Sequence, residues 1–560
     1  MTETSSRASG AHAADPLTEA LALHRAGRVV EAQHLYEAVL RERPDHPDAL
    51  HLLGLLAHQR GDAATALGLI RRALQHRPEF PIALCNLANI LRAEGEREAA
   101  TDAYRRALAF NPSLVGAELG LAGVAADARD FAAAAERLEA VVARHPGLAV
   151  AWCELGRARR EQGRLGDAVR ALEQAVALEP ALFAAHNELG IALHKAGRWS
   201  DAVRAYRAAL ACQGDPTIAL RNLGHSLKRL DRVAEAVDCY RRANAHRELA
   251  AVIDPATAAL DTYATTSRAK LVHDIEQLEY LAARGWRPDA AADLIARYRG
   301  VLAAIKPRAA ASEVVRLTDE ERARLGPTYN RLLNVADAPA LPGGPFGGWR
   351  PDRIEAAYLA ARPEFVLIDD FLSAEALASL RRYCLESTVW FNFSHHGGYM
   401  AALLDDHFDC PLVLQIADAL RRAMPRMLER HTLVHIWAYK YDTTLQGVGN
   451  HGDNAAVNVN FWITPDDANL SPDTGGMIIY PALAPADWEF EAFNADPDRI
   501  AAFVASHGGA PIRVPYRANR AVLFNSSLFH ETDQIWFKPG YDTRRINVTM
   551  LFGDREGARA

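Results

Sequence analysis

The chain is poor in cysteine, and the cysteines it has are not grouped. Six cysteines are scattered singly among 560 residues, and no two of them form a C-x-x-C pair. Small secreted domains that depend on disulfides carry cysteine at a much higher density. The pattern therefore argues against a disulfide scaffold and favours a reducing compartment.

The chain also lacks a long apolar run and an excess of positive charge. No stretch approaches the roughly 20 apolar residues that a membrane helix needs. The first residues, MTETSSRASGAHAADP, are small and polar, unlike a signal peptide. With 63 basic and 70 acidic side chains, no net positive charge draws nucleic acid or anionic lipid to the protein. We predict a cytoplasmic protein without nucleic-acid or membrane partners, and disorder over residues 1–15.

A period of 34 residues organises the first half of the chain. Five prolines follow one another at this spacing: Pro44, Pro78, Pro112, Pro146 and Pro180. Seven alanines do the same: Ala32, Ala66, Ala100, Ala134, Ala168, Ala202 and Ala236. Leu-Gly or Leu-Ala pairs fill a further column. Because small residues let two helices approach and large ones fill the groove between neighbours, the period predicts stacked antiparallel helix pairs.

These columns resemble the tetratricopeptide repeat, which implies an all-α solenoid. We count seven repeats over residues 16–248. Residues 249–305 keep a helical periodicity without the signature, and we interpret them as a helical capping region at the end of the array. Arrays of this kind usually bind a peptide or another protein, so we expect such a partner on the repeats.

The composition and the periodicity of the sequence change after the repeats. Residues 306–350 are predicted to be a linker, because their helical pattern weakens and PALPGGPFGGW (Pro339 to Trp349) cannot continue a helix. Residues 351–560 form a separate, strand-rich domain. It opens with a predicted strand, FVLIDDF, and a helix capped by Ser373. Short runs rich in β-branched and aromatic residues follow, such as VHIWAYKY, AAVNVNFWIT and RRINVTMLF.

Three side chains of this domain are candidate metal ligands. His451 and Asp453 stand two residues apart in GNHGDN, so an extended backbone projects both to the same side. A later predicted strand, AVLFNSSLFHET, supplies His530. Two imidazoles and one carboxylate on one face of an ion leave three positions open, an arrangement that suits iron(II) oxygen chemistry.

Residues 365–552 resemble the iron(II)/2-oxoglutarate-dependent dioxygenases, in particular the prolyl-hydroxylase-like branch. The likeness includes the opening strand and helix, Tyr441 ahead of the H-x-D motif, the Gly475-Gly476 turn and the strand that carries His530. It implies a double-stranded β-helix (jelly-roll) domain with flanking helices. It also implies iron(II) held by the three candidate ligands, with 2-oxoglutarate and O2 as co-substrates.

In that family a basic residue on the strand after the distal histidine binds the far carboxylate of 2-oxoglutarate. Arg544 and Arg545 are both candidates. The pleat puts Arg545 on one face with Asn547, whereas Arg544 shares the other face with apolar residues. We assign Arg545 to the co-substrate, because its planar fork can meet a carboxylate with two charge-assisted bonds, and Asn547 as its assistant. The collagen-type enzymes usually carry lysine here, so arginine places this chain away from them.

Further residues are weaker candidates for the site. The resemblance gives Tyr441 a role in binding the co-substrate, although Trp437 and Tyr439 on the same strand could face inward instead. Asn458 and Asn460 interrupt an apolar strand and need partners or a cavity, and we favour Asn460 as a lining residue. The segment FNFSHHGGYM is either a loop over the substrate or a solvated surface.

The sequence thus predicts a 2-oxoglutarate-dependent hydroxylase whose protein or peptide substrate is recruited by the repeats. One alternative is a small-molecule hydroxylase of a biosynthetic pathway. Another is a repeat-based interaction protein whose oxygenase domain senses or is inactive.

Overall fold

The computed structural model describes residues 16–253, 261–393, 399–442, 447–507 and 509–555. The disorder predicted for residues 1–15 lies outside these ranges, as do residues 394–398 of FNFSHHGGYM. The chain divides into two compact units, Met1–Gln213 and Gly214–Ala560. In the described ranges, no helix is long and apolar enough to cross a membrane.

The first unit consists of consecutive antiparallel helix pairs. Its helices are α1 (Pro16–Arg25), α2 (Val29–Glu42), α3 (Pro47–Gln59), α4 (Ala63–His76), α5 (Pro81–Ala93), α6 (Arg97–Phe110), α7 (Val115–Asp127), α8 (Phe131–Arg144), α9 (Ala149–Glu161), α10 (Leu165–Leu178), α11 (Phe183–Lys195) and α12 (Trp199–Ala211). A seventh pair, α13 (Pro216–Arg229) and α14 (Val233–Ile253), belongs to the second unit. Each predicted repeat thus corresponds to one helix pair.

Close helix contact explains the columns of small residues. A Cβ atom built on Gly190 would lie 2.5 Å from the Tyr206 ring in the partner helix, and one on Gly224 would lie 2.4 Å from the Tyr240 ring. Both tyrosines are almost completely buried. The 34-residue period therefore arises because each helix pair packs a large side chain against a position that accepts only glycine or alanine.

Helices and one small ladder lead from the repeats to the last domain. They are α15 (Asp261–Ala264), β1 (Thr265–Thr266), α16 (Arg268–Ala282), α17 (Pro288–Ile305), β2 (Val315–Arg316) and α18 (Asp319–Leu325). The predicted linker is packed rather than loose. Leu325 and Tyr329 join the core of α16 and α17, and Ala338 and Leu341 join the core of the last domain. The Gly/Pro-rich sequence ends the helices, but the segment stays packed against both cores.

The last domain contains α19 (Pro351–Ala360), β3 (Phe365–Ile368), α20 (Ala374–Glu386), β4 (Met400–Leu403), α21 (Pro411–Ala423), α22 (Pro425–Leu428), β5 (Leu433–Lys440), β6 (Val457–Trp462), β7 (Met477–Leu483), α23 (Phe490–Asn494), α24 (Pro497–His507), β8 (Ile512–Val514), β9 (Ala521–Asn525), β10 (Leu528–Thr532) and β11 (Ile546–Phe552). A six-stranded antiparallel sheet has the order β3-β9-β6-β11-β5-β4, and a three-stranded antiparallel sheet has the order β10-β7-β8.

The pleat divides the six-stranded sheet into two chemically different faces. Ile546, Val548 and Met550 of β11 join the main apolar core, together with residues of α20 and α21. Asn547 and Thr549 alternate with them and line a cavity on the other face. One face therefore holds the domain together, and the other is free to carry polar side chains.

Candidate metal centre

Backbone pairing brings the three predicted ligands together. The amide of His451 donates to the carbonyl of His530 over 3.0 Å, and the amide of His530 returns a bond of 2.9 Å. The amide of Asp453 donates to the carbonyl of Ser526. His451 Nε2 lies 3.7 Å from Asp453 Oδ1, and His530 Nε2 lies 3.5 Å from Asp453 Oδ2. One ligand atom from each residue falls within 4.8 Å of the others.

Hydrogen bonds orient these ligand atoms. His451 Nδ1 lies 2.8 Å from the carbonyl oxygen of Gly449, and His530 Nδ1 lies 3.0 Å from that of Leu528. A carbonyl oxygen only accepts, so each Nδ1 carries the proton and each Nε2 keeps a lone pair for a metal. Asn458 Nδ2 donates to Asp453 Oδ2 over 2.6 Å. Each of the three candidate ligands thus has a hydrogen bond that fixes the orientation of its side chain.

The local electrostatics favour the protonation states that bind a metal. Burial, with His530 nearby, lowers the pKa of His451 to about 4, so its imidazole is neutral at pH 7. Burial alone would raise the pKa of Asp453, but its contacts with His530, His451 and Asn458 outweigh burial, and the pKa is lowered. A neutral imidazole beside a carboxylate is the state a divalent ion requires. The donor set therefore fits iron(II).

Arg545 lies in the same cavity, which has a volume of about 490 Å³ and is lined by residues of both sheets. Its Nε donates to the carbonyl of Gly475 over 2.6 Å, and its Nη2 donates to that of Gly476 over 3.1 Å. Its guanidinium carbon lies 4.8 Å from the centre of the Tyr441 ring. The predicted Gly-Gly turn and Tyr441 thus hold the arginine in place.

A chain of hydrogen bonds runs from Arg545 across the cavity face. Arg545 Nη1 donates to Asn547 Oδ1 over 3.2 Å, and Asn547 Nδ2 donates to Thr549 Oγ1 over 3.3 Å. Asn460 Nδ2 donates to the same hydroxyl over 3.0 Å. Because a guanidinium only donates, it fixes the orientation of the Asn547 amide. Asn547, Asn460 and Asn458 all line the cavity, and Asn458 is the one that donates a hydrogen bond to a candidate ligand.

Arg544, which like Arg545 directly precedes β11, points away from the cavity and forms ion pairs. Its Nη2 lies 2.8 Å from Glu276 Oε2 and 3.1 Å from Asp442 Oδ2. The structure therefore places only Arg545 of this pair in the cavity.

Aromatic side chains form much of the cavity wall. Tyr441, Tyr439 and Trp437 all line it. The sequence left open whether Tyr441 or the other two would face the site, and all three do. Tyr399 packs on Tyr439 with ring centres 4.4 Å apart. Tyr399 belongs to FNFSHHGGYM, the segment considered as a loop over the substrate, although no role was given to the tyrosine itself. Asn494, which lines the cavity from α23, was missed, because it stands in no motif and only the folded chain brings it to the site.

Comparison with known proteins identifies the repeats. One tetratricopeptide repeat family model matches residues 17–81, 119–166 and 153–217, and a second matches residues 82–114. Residues 17–217 therefore carry tetratricopeptide repeats. A search of curated proteins found no match.

Several solved structures also match in part. MamA (41-end) from Desulfovibrio magneticus RS-1 is 23% identical, with 30% of this chain and 94% of that chain covered and a TM-score of 0.27. A tetratricopeptide repeat protein from Parabacteroides merdae ATCC 43184 is 15% identical, with 41% and 91% covered and a TM-score of 0.36. PilF from Pseudomonas aeruginosa is 22% identical, with 36% and 91% covered and a TM-score of 0.32.

Proposed function

We propose that the last domain is an iron(II)- and 2-oxoglutarate-dependent dioxygenase that hydroxylates a protein or peptide substrate recruited by the repeats. The observation that carries this proposal is the convergence of His451, Asp453 and His530 in one cavity with Arg545. Two antiparallel sheets that line a common cavity support a double-stranded β-helix. Two imidazoles and one carboxylate are the donors of the facial set that leaves positions open for oxygen and a chelating co-substrate, and this likeness supports the proposal.

The two imidazole Nε2 atoms and the Asp453 carboxylate would hold iron(II), which supplies oxygen activation for coupled decarboxylation of 2-oxoglutarate and hydroxylation of a C–H bond. Arg545 has the charge and the planar N–H geometry to bind the distal carboxylate of the co-substrate. Burial of Arg545 strengthens that attraction, because little water screens it. Asn458 keeps the Asp453 carboxylate turned toward the metal position.

The repeats support a macromolecular substrate. The first unit carries a cavity of about 260 Å³ that is lined by apolar and charged side chains, including Leu119, Phe131 and Leu138 beside Arg92 and Asp127. Arg92 Nε donates to Asp127 Oδ2 over 2.6 Å. A surface with an apolar floor and fixed charges suits a peptide with mixed side chains. The small-molecule hydroxylase remains the alternative in the same chemical class.

A second candidate function is a repeat-based interaction protein whose last domain senses or is inactive. The matches to tetratricopeptide repeat models favour it, because they support a protein-binding role that needs no turnover.

Anaerobic spectroscopy tests the enzyme proposal. Metal-free protein would be loaded with iron(II) and 2-oxoglutarate, and we expect the visible charge-transfer band of the chelate. The variants His530→Ala and Asp453→Ala should lose this band. Bound iron without a band in the unaltered protein would contradict the proposal and leave the interaction protein.

Mass spectrometry of lysate exposed to the active protein would then identify the substrate class. We expect a peptide that gains one oxygen atom. Oxygen incorporated only into low-mass compounds would establish the small-molecule alternative instead.

A further inference from the structure

An insertion between β7 and β8 reaches the proposed metal centre. It contains α23 and α24, and its residues Asn494, Ala495 and Pro497 line the cavity that holds the candidate ligands. Phe493 and Ile500 of the insertion pack with Phe529, the residue before the ligand His530. The insertion is therefore a wall of the site.

The same insertion holds the residue between two ligands. Gly452 separates His451 from Asp453, and its amide donates to the carbonyl of Phe493 over 2.7 Å. Its carbonyl accepts a bond of 3.0 Å from Asn494 Nδ2. Both backbone polar groups of Gly452 are thus bonded to two consecutive residues at the end of α23.

Hydrogen bonds, rather than close packing, fix Gly452 in this position. A Cβ atom built there would meet its nearest neighbour, Phe493 Cδ2, at 3.5 Å, which is an ordinary contact. Close packing around Gly452 therefore does not determine where the segment from His451 to Asp453 lies. Hydrogen bonds of His451 with His530 and of Asp453 with Ser526 hold the two ends of the segment. The two bonds at Gly452 hold its middle, and they depend on where α23 lies.

Arg555 fixes the base of the insertion. This side chain is 5% exposed, and its Nη2 donates to the carbonyl of Ala484 over 2.5 Å and also to that of Pro485. Its Nη1 donates to the carbonyl of Trp488 over 3.3 Å. Its guanidinium carbon lies 4.2 Å from the centre of the Phe493 ring. One arginine thus binds three carbonyls at the start of the insertion and packs on the residue that holds Gly452.

We propose that Asn494 and Arg555 are positioning residues of the metal centre, acting through the insertion on the segment from His451 to Asp453. This inference rests on the proposed function for its metal. Arg555 places α23, and α23 supplies the two bonds that hold Gly452, the residue between two of the ligands. Groups that orient metal ligands from outside typically change metal affinity by about 10–100-fold when they are removed.

Two measurements on the full chain test the proposal. Cobalt(II) binding to metal-free protein, followed by visible absorption, reports ligand geometry. Hydrogen exchange of metal-free protein, read by mass spectrometry, reports the Gly452 amide without any metal. For Asn494→Ala and Arg555→Met we expect about tenfold weaker cobalt binding, with faster exchange confined to the insertion and residues 447–456. Arg555→Lys should retain only part of the cobalt affinity, because a lysine keeps the positive charge but reaches fewer of the three carbonyls.

Matched controls lie in the same insertion. Glu491 is an exposed residue of α23, and Asp498 is an exposed residue of α24. The variants Glu491→Ala and Asp498→Ala should leave cobalt affinity and exchange at Gly452 within twofold of the unaltered protein.

Several outcomes would overturn the proposal. The first is an unchanged cobalt affinity in both Asn494→Ala and Arg555→Met. The second is faster hydrogen exchange that extends to β11, because exchange that far from the insertion would mean general destabilisation. Failure of the proposed dioxygenase function would give a different set of results. Normal cobalt binding without the iron–2-oxoglutarate band would refute the dioxygenase and leave the positioning roles intact. If cobalt does not bind at all, unaltered exchange at Gly452 in the variants would refute those roles.

Discussion

At the scale of single residues, two adjacent arginines directly before β11 lie in different environments. Arg545 lies against Tyr441 and two glycine carbonyls in the cavity, whereas Arg544 forms ion pairs with Glu276 and Asp442. Strand alternation was enough to separate them from the sequence. Their bonding partners were not predictable, because Glu276 is more than 250 residues away along the chain.

The two arginines form a matched pair for testing co-substrate binding. We expect Arg545→Ala to weaken 2-oxoglutarate binding by about tenfold to a hundredfold, because charge-assisted hydrogen bonds contribute about 1.5–3 kcal/mol. Arg544→Ala should change this affinity less than twofold. Titration of the iron(II)-loaded protein with 2-oxoglutarate under anaerobic conditions measures both. Equal losses in the two variants would show that the effect is not specific to the cavity arginine.

His273 makes stability depend on pH. It is fully buried, and burial lowers its pKa to about 3. Between pH 6.5 and 3 the unfolded chain binds a proton that the folded chain does not, so the free energy of unfolding falls as pH falls. From this residue alone we expect a loss of about 2 kcal/mol at pH 5 relative to pH 7.

Thermal denaturation at pH 7 and pH 5 checks this expectation. His273→Gln should shrink the difference between the two pH values, because glutamine does not titrate and can still donate to Asp274. His507→Gln replaces an exposed histidine and serves as the control. Other buried histidines, such as His451, keep part of the difference. A difference as large in His273→Gln as in the unaltered protein would contradict the role of His273.

At the scale of elements, the Gly-Gly turn before β7 shows why two glycines are needed. Gly475 has a φ of +83°, a conformation that other residues adopt at a cost. A Cβ atom on Gly476 would lie 1.9 Å from the carbonyl oxygen of Val514 in β8. The turn therefore brings two backbones close together and at the same time presents two carbonyls to Arg545.

We expect Gly476→Ala to lower both stability and co-substrate affinity. Over-packing of this kind costs about 1–3 kcal/mol, and relief of the clash must move a carbonyl that accepts from Arg545. Gly348→Ala is the control, since a Cβ atom there meets nothing within 4 Å. Denaturant unfolding and 2-oxoglutarate titration measure the two effects. Normal stability and affinity in Gly476→Ala would contradict this account of the turn.

The elements differ in how far the sequence predicted them. Strands with strong β-branched or aromatic patterns were recognisable, and β9 begins and ends where AVLFN does. The strand β4 and the short strand β8 were missed, because MAAL and IRV carry little pattern of their own and are strands through pairing with β5 and β7. The insertion with α23 and α24 was missed too. Its role depends on contacts with Gly452 and Arg555, which no local pattern encodes.

At the scale of the whole molecule, the seventh helix pair belongs to the same compact unit as the last domain. Arg221 pairs with Asp405 at 3.1 Å, Arg241 with Asp409 at 2.7 Å, and Arg247 with Asp406 at 2.7 Å. Lys228 Nζ donates to the carbonyl of Val434 over 2.7 Å. The repeat columns predicted this pair correctly as helices. They could not show that its charged side chains bind acids located more than 150 residues later.

The helices that follow the seventh pair are joined to the last domain just as closely. Gln277 of α16 donates to the carbonyl of Ser387 over 2.9 Å, and Lys440 Nζ, which is fully buried, donates to the hydroxyl of Tyr541 over 2.7 Å. His273 of α16 packs against that same tyrosine ring at 5.6 Å. Removal of α16 would therefore strip packing from Trp390 and Tyr541, the two rings that lie against Lys440, and would remove the donor to the Leu385 and Ser387 carbonyls.

These contacts predict how the chain can be divided. A fragment of residues 214–560 should unfold cooperatively, whereas a fragment of residues 351–560 should lack a cooperative transition, because it loses the partners of Asp405, Asp406 and Asp409 and the cover over Lys440. Circular dichroism during thermal denaturation, together with limited proteolysis, distinguishes the two. High salt should lower the midpoint of the longer fragment modestly, since exposed ion pairs are screened and buried ones are not. A cooperative transition in the shorter fragment would show that the strand-rich domain folds alone, and that the seventh pair is attached to it rather than required by it.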